Sequence, residues 1–222
     1  MLTRDDRTVE DCVAVLGEVL PLGLRHVGFK DVGVDRATLV AANDAIKGAG
    51  ATSYLEVVGL EPDACERAAL IARDIGVDRL LGGTDATAVL DILDGSGIGY
   101  YPFPGRPTGH PTELGGTADE IWEQCRAFEA AGCAGVDLLA YRATEDDPIA
   151  LIRAARDAVD GEVFVARSVD SSDRIGAVAA AGADAFTIGS AAFNGSFAPE
   201  RDSLAGQVSA IVEACQEFEA AV

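Results

Sequence analysis

Val163-Phe164-Val165-Ala166-Arg167-Ser168-Val169-Asp170-Ser171-Ser172-Asp173-Arg174-Ile175 and, a few residues on, Ala181-Gly182-Ala183-Asp184-Ala185-Phe186-Thr187-Ile188-Gly189-Ser190-Ala191-Ala192-Phe193 decide how this chain folds. The first run reads as a buried strand, a short polar loop and a helix start. The second reads as a Gly-Ala-Asp turn, a strand over 184–189, a Gly-Ser step and another helix start. Two βα units in a row, each with small or hydroxylated residues at the strand end, place backbone N–H groups around one spot. Helix N-termini carry unpaired donors and the positive end of the helix dipole, so such a spot attracts an anion. Ser168, Gly189 and Ser190 are small enough to let a phosphate approach the backbone. Asp170, Ser171 or Ser172 supplies the cap of the intervening helix, and Gly182 is read as an ordinary helix stop.

The same rhythm extends back to the start of the chain. Strands are expected over 25–32, 52–58, 79–83, 98–102, 135–141 and 162–167. Helices are expected over 35–49, 62–75, 85–93, 118–131, 148–159, 172–181 and 204–219, with a first helix from residue 8 to 20. Buried apolar strands alternating with helices define a parallel sheet covered on both faces. Seven strands are clear, and a β/α barrel has eight. Leu2-Thr3-Arg4 is the candidate for the missing one. The predicted fold is thus a single α/β domain over 1–222, a (β/α)8 TIM barrel with a truncated or very short first strand. An open doubly wound sheet is the competing architecture.

Composition narrows the function classes. The 222 residues include 17 Lys and Arg against 37 Asp and Glu, a formal net charge of −20. That charge repels nucleic acid and anionic membranes. It fits a cytoplasm rich in salt, where self-repulsion is screened; an acidic protein from a GC-rich genome would show the same preference for Arg over Lys. The chain offers no apolar run of membrane-span length and no apolar leader, so a cytoplasmic location is expected. Five scattered cysteines without a CxxC, and only two histidines, argue against a structural zinc or a His-rich metal centre. No cofactor is predicted.

In a barrel, chemistry sits at the C-terminal ends of the strands. The polar residues there are Thr3, Arg4, Asp5, Lys30, Asp31, Glu56, Thr84, Asp85, Arg106, His110, Asp137, Tyr141, Arg142, Ser168 and Ser190. Lys30 is one of only two lysines. At a strand end it could form a Schiff base or stabilise an enolate, or it could pair Asp31 or Glu56. Glu56 is a carboxylate inside an apolar strand, which needs a partner or a use, such as general base. Asp137 is read with the same logic but placed near the start of its strand, toward the bottom face. His110 and Arg106 lie in the stiff loop Tyr101 to Pro111 and could reach over the mouth to move a proton or bind an anion. The candidate catalytic set is Lys30, Glu56, His110 and Arg142. The candidate phosphate and substrate set is Arg4, Arg106, Tyr141, Ser168, Gly189 and Ser190.

The segment 162–193 resembles the ribulose-phosphate-binding barrel superfamily. That group includes phosphosugar epimerases, orotidine-phosphate and keto-gulonate-phosphate decarboxylases, and isomerases of histidine and tryptophan biosynthesis. Gly189-Ser190-Ala191 matches the family's eighth strand end. Arg167-Ser168-Val169 departs from the Gly-Gly-Ile common at the seventh, and Lys30-Asp31 lacks the flanking carboxylates of the decarboxylases' Asp-x-Lys-x-x-Asp motif. Thr3-Arg4-Asp5-Asp6, Gly28-Phe29-Lys30-Asp31 and Pro102-Phe103-Pro104-Gly105-Arg106 are similar to segments of a barrel subfamily that carries no assigned reaction. The resemblance implies a small phosphorylated metabolite as partner, with a homodimer by analogy. The expected activity is a metal-independent isomerase, epimerase or aldolase-type lyase. The alternatives are a non-catalytic phosphometabolite-binding or scaffold barrel and a metal-dependent aldolase.

Overall fold

The computed structural model describes residues 1–219 of the chain, with backbone alone at residue 219. Its strands are β1 (Thr3–Arg4), β2 (Arg7–Thr8), β3 (His26–Lys30), β4 (Thr52–Glu56), β5 (Arg79–Leu81), β6 (Gly99–Tyr101), β7 (Arg106–Thr108), β8 (Glu113–Gly115), β9 (Gly135–Leu138), β10 (Glu162–Val165) and β11 (Ala185–Phe186). The helices are α1 (Cys12–Val19), α2 (Arg36–Gly48), α3 (Pro62–Ile75), α4 (Ala86–Leu93), α5 (Ala118–Ala131), α6 (Pro148–Ala158), α7 (Ser172–Ala180), α8 (Ser190–Phe193) and α9 (Leu204–Glu219). Their starts are written in the sequence. Asp35, Asp85, Thr117, Asp147 and Ser171 each accept a backbone N–H of the first turn, as good N-caps do.

Strands β3-β4-β5-β6 run parallel in one sheet and β9-β10-β11 in another. Hydrogen bonds bridge both seams. Ala134 N donates to Tyr100 O (2.9 Å) and Asp137 N to Pro102 O (2.9 Å), joining β6 to β9. The Met1 amino group donates to Ile188 O (2.7 Å) and Leu2 N to Gly28 O (2.7 Å), setting the first strand between β11 and β3. The chain is therefore the predicted β/α barrel, with the short first strand at Leu2-Thr3-Arg4. Arg4 turns at once through Asp5-Asp6 into the antiparallel β2.

Three predicted segments differ. The first helix, expected from residue 8, starts at Cys12, because Arg7–Thr8 pair with the first strand as β2. The strand expected over 184–189 is regular only at Ala185–Phe186, because the first strand reaches it through a single described bond. The stretch expected as an irregular loop after Tyr101 contains the hairpin β7–β8, whose Leu114 bridges to Ala143.

Apolar side chains fill two layers between the strands and helices. The barrel interior is small and separate: Tyr54, Leu81, Tyr101 and Phe164, with Phe164 edge-on to Tyr101 (ring centroids 4.9 Å apart). Below this plug, at the N-terminal strand ends, Arg79 pairs Glu162 at 2.6 Å and Tyr101 Oη donates to the same carboxylate. A cavity of about 700 Å³ opens at that lower end, between the first strand, β11 and α9. Above the plug, the interior is polar. Gly135 marks how tight the wall is, since a Cβ there would collide with the Glu162 carbonyl.

Candidate functional site

The upper end of the barrel holds a cluster of five charged or ionisable side chains. Lys30 ends β3 and Glu56 ends β4, and the two are register partners on adjacent strands. Lys30 Nζ lies 2.9 Å from Glu56 Oε1 and 2.8 Å from Asp6 Oδ1. Arg167, two residues beyond β10, reaches the same pair of carboxylates, at 2.7 Å from Asp6 Oδ2 and 3.4 Å from Glu56 Oε1. The fifth member is Asp137 on β9. Asp137 is 0% exposed, Glu56 1% and Lys30 3%. Charges this far from water persist only when paired and hydrogen-bonded, and four of the five satisfy each other.

Backbone strain concentrates at the same place. Among the described residues, the non-glycine positions with positive φ are Asp5 (51°), Asp6 (58°), Arg167 (66°) and Ser168 (57°). A left-handed conformation costs an L-residue roughly 1–2 kcal/mol. The strained pairs face each other through the Asp6–Arg167 ion pair. Such strain collects at functional sites, where the surroundings hold it in place.

Electrostatics divides the carboxyls. Burial works to raise the Asp6 carboxyl, but the Lys30 and Arg167 cations outweigh it and hold it below the usual carboxylate range. Burial pushes Asp137 well above that range, and the Glu56 charge adds to the effect, with Arg167 and Lys30 offsetting only part. Asp31, next to Lys30, turns away to accept Val58 N at 3.1 Å; burial raises its carboxyl as well. The cluster thus pairs two cations with two carboxylates and adds one carboxyl whose burial favours the protonated form.

The remaining predicted residues form a second shelf beside the cluster. Arg142 Nε donates to Ser168 Oγ at 2.9 Å. Arg174 donates to Ser168 O and stacks over the Tyr141 ring, 4.6 Å from its centroid. Arg4 lies over the Phe193 ring (5.6 Å) and donates to its carbonyl (3.4 Å), beside Gly189 and Ser190. Among the described residues, neither Arg4 nor Arg142 has a carboxylate partner. Gly189 also has a packing role, since a Cβ there would collide with Thr3 Oγ1. Ser190 is exposed at the start of α8.

Two predicted residues stand apart. Arg106 is exposed and held by Glu120 and Glu145 (2.9 Å). His110 is exposed at the tip of the β7–β8 hairpin, before a cis peptide to Pro111, with no hydrogen bond or ion pair to a described residue. Conversely, Asp6, Asp137 and Arg167 join the site although none of them is in the candidate catalytic or binding sets. Asp137 was placed near the bottom face; it is the third of four residues in β9 and lies at the level of the cluster. Arg167 was visible as a charge where glycine was expected. Asp6 gave no signal in the sequence, because the turn that carries it exists only once Arg7–Thr8 pair with the first strand. Among the described residues, no group of three or more His, Cys, Asp or Glu side chains is placed to hold a metal.

No family model matches the chain, and no curated protein does. Solved structures do match in shape. The native KDPGal structure superposes with a TM-score of 0.67 at 19% identity, over 95% of this chain and 91% of that one. Thiamine phosphate pyrophosphorylase from Pyrococcus furiosus gives 0.64 at 11% identity, over 93% and 90%. 3-Hexulose-6-phosphate synthase gives 0.60 at 17%, over 96% and 95%. The likeness in shape to these solved structures therefore runs along nearly the whole chain, well beyond residues 162–193.

Proposed function

We propose that this chain is an enzyme that acts on a small phosphorylated carbonyl compound through an enolate, as an isomerase or epimerase or as an aldol-type lyase. The observation that carries the reading is the buried Lys30–Glu56 pair at the mouth of the barrel, held by Asp6 and Arg167 on strained backbone. Glu56 removes a proton from the carbon next to the carbonyl. Lys30 stabilises the negative charge that follows. Both of its ion pairs require the charged ammonium, which favours this electrostatic role over Schiff-base formation. Arg4 and Arg142 have no carboxylate partner among the described residues and are the cations we assign to a phosphate, with Ser168 Oγ and the amides at Gly189 and Ser190 beside them. Two of the three similar folds named above carry phosphate in the names of their substrates or products, which supports the same ligand class here.

A thermal-shift screen of phosphorylated sugars and keto acids at high salt, on wild type and Lys30→Ala, tests the reading. The expected result is a phosphorylated hit shared by both proteins, with turnover in wild type alone. Borohydride added with that compound should leave no adduct on Lys30; a substrate-sized mass gain there would replace the enolate mechanism by a Schiff base. If Lys30→Ala turns the compound over as wild type does, the catalytic assignment is wrong and a binding barrel takes its place.

A further inference from the structure

Among the described residues, three buried polar atoms at the barrel mouth have no hydrogen-bond partner: both carboxyl oxygens of Asp137 and the Nε of Arg167. Their neighbours could have satisfied them but are committed elsewhere. Lys30 Nζ and the terminal nitrogens of Arg167 are taken by Asp6 and Glu56. Buried polar atoms are nearly always bonded, so orphans in one place call for an explanation. Asp137 feels the charge of the proposed general base, Glu56, and is the register partner of Phe164 in the apolar plug, where a ligand carbonyl would enter.

We propose that Asp137 and Arg167 Nε form the pocket for the substrate's carbonyl oxygen. Asp137 donates to it as a carboxylic acid and Arg167 as an N–H. The inference rests on the enolate reading above and completes its proton path. The Glu56 carboxylate takes the proton from carbon, and the C–H electron pair becomes the new C=C bond. The carbonyl π pair moves to oxygen, which takes the Asp137 proton and leaves Asp137 as a carboxylate. The groups that act on Asp137 are Glu56 on β4, Lys30 on β3 and Arg167 after β10. Asp6 in the β1–β2 turn contacts Lys30, and the Met1 amino group, lowered by burial to about 6, feels Glu56 and Lys30 through space. Burial is the largest of these influences and favours the protonated Asp137 in the resting site.

Two measurements decide the matter. Infrared spectra of the full chain at neutral pH should show a protonated-carboxyl band that Asp137→Asn removes and Asp6→Asn keeps. Absence of that band overturns the proposal whatever the substrate proves to be. Calorimetric binding of phosphoglycolohydroxamate, a phosphorylated enediolate mimic, against phosphoglycolate reads the pocket. Wild type should prefer the hydroxamate. Asp137→Ala should lose tenfold or more of that preference, while Asp137→Asn, whose amide still donates, should keep it within about threefold. Full preference in Asp137→Ala, or equal loss in both variants, overturns the pocket. If wild type binds neither phosphorylated probe, the enolate reading and the carbonyl pocket both fall, and the infrared band alone then locates the proton.

Discussion

At the residue scale, Lys30 illustrates how pairing decides what a charge is for. Lys30→Met removes one cation from between two buried carboxylates and leaves Arg167 to hold both. Breaking a buried pair from one side costs about 3–5 kcal/mol, so chemical denaturation of Lys30→Met should show a loss of that order along with loss of turnover. Asp137 predicts a pH dependence of stability. Its folded pKa is raised, so between its unfolded value near 4 and its folded value the unfolded chain is ionised while the native site keeps the proton. Unfolding free energy must then fall as pH rises through that window. Asp137→Asn should flatten the slope between about pH 4 and 7, measured by urea unfolding at each pH; an unchanged slope would show that Asp137 ionises normally. Asp6 acts in the other direction and lower down. Its depressed value contributes stability above the unfolded pKa, and that contribution is lost as pH falls toward the folded one. Lys30 and Glu56 were legible as a pair because an apolar strand that ends in a charge must satisfy it. Asp137 was misplaced because its level depends on how far β9 is staggered around the barrel, and stagger leaves no mark on composition or periodicity.

At the element scale, the two-residue turn Asp5-Asp6 is a device that carries a side chain to the site. Both residues have positive φ, as the twist of a tight hairpin demands. Their side chains differ in what they do. Asp5 is exposed and makes no described ion pair, whereas Asp6 bonds both Lys30 and Arg167. Asp5→Gly should therefore relieve strain and raise stability by up to about 1 kcal/mol, net of glycine's greater unfolded freedom, with activity kept. Asp6→Gly relieves the same strain but should lose roughly 3 kcal/mol by uncoupling buried charges, and activity with it. Thermal melts of the two variants separate strain from pairing. If both behave alike, the turn is only a connector. The helices were legible to within a few residues because their caps are local. The β7–β8 hairpin was not, because the prolines of the stretch 102–111 read as an irregular loop; its pairing is fixed by the contact of Leu114 with Ala143, a tertiary event.

At the scale of the whole molecule, the governing quantity is charge. The chain carries −20 in 222 residues, and its basic residues are largely spent in local pairs such as Arg156–Asp184 and Arg201–Glu213. The excess acid is left facing solvent, where like charges repel and favour expansion. Self-association faces the same repulsion. Trp122 on α5, 43% exposed, is the apolar anchor that a homodimer could use. Light scattering across a salt series is the test, with dimer expected at high salt. Folding should respond to salt in the same sense. The Debye length is about 10 Å at 0.1 M and 3 Å at 1 M, so added KCl silences repulsion between surface carboxylates while the short, buried contacts of Lys30, Glu56, Asp6 and Arg167 are screened far less. If screening returns about 2 kcal/mol, the melting temperature should rise by roughly 4–8 °C for a domain this size. The rise should be steep up to about 1 M, where the Debye length falls below the spacing of surface charges, and shallow beyond it. Sucrose, which strengthens burial without screening, should give no steep early rise. A melting temperature that is flat in KCl, or that follows sucrose, would mean the acidic surface is tolerated at low salt, and the salt-rich setting inferred from composition would have to be abandoned.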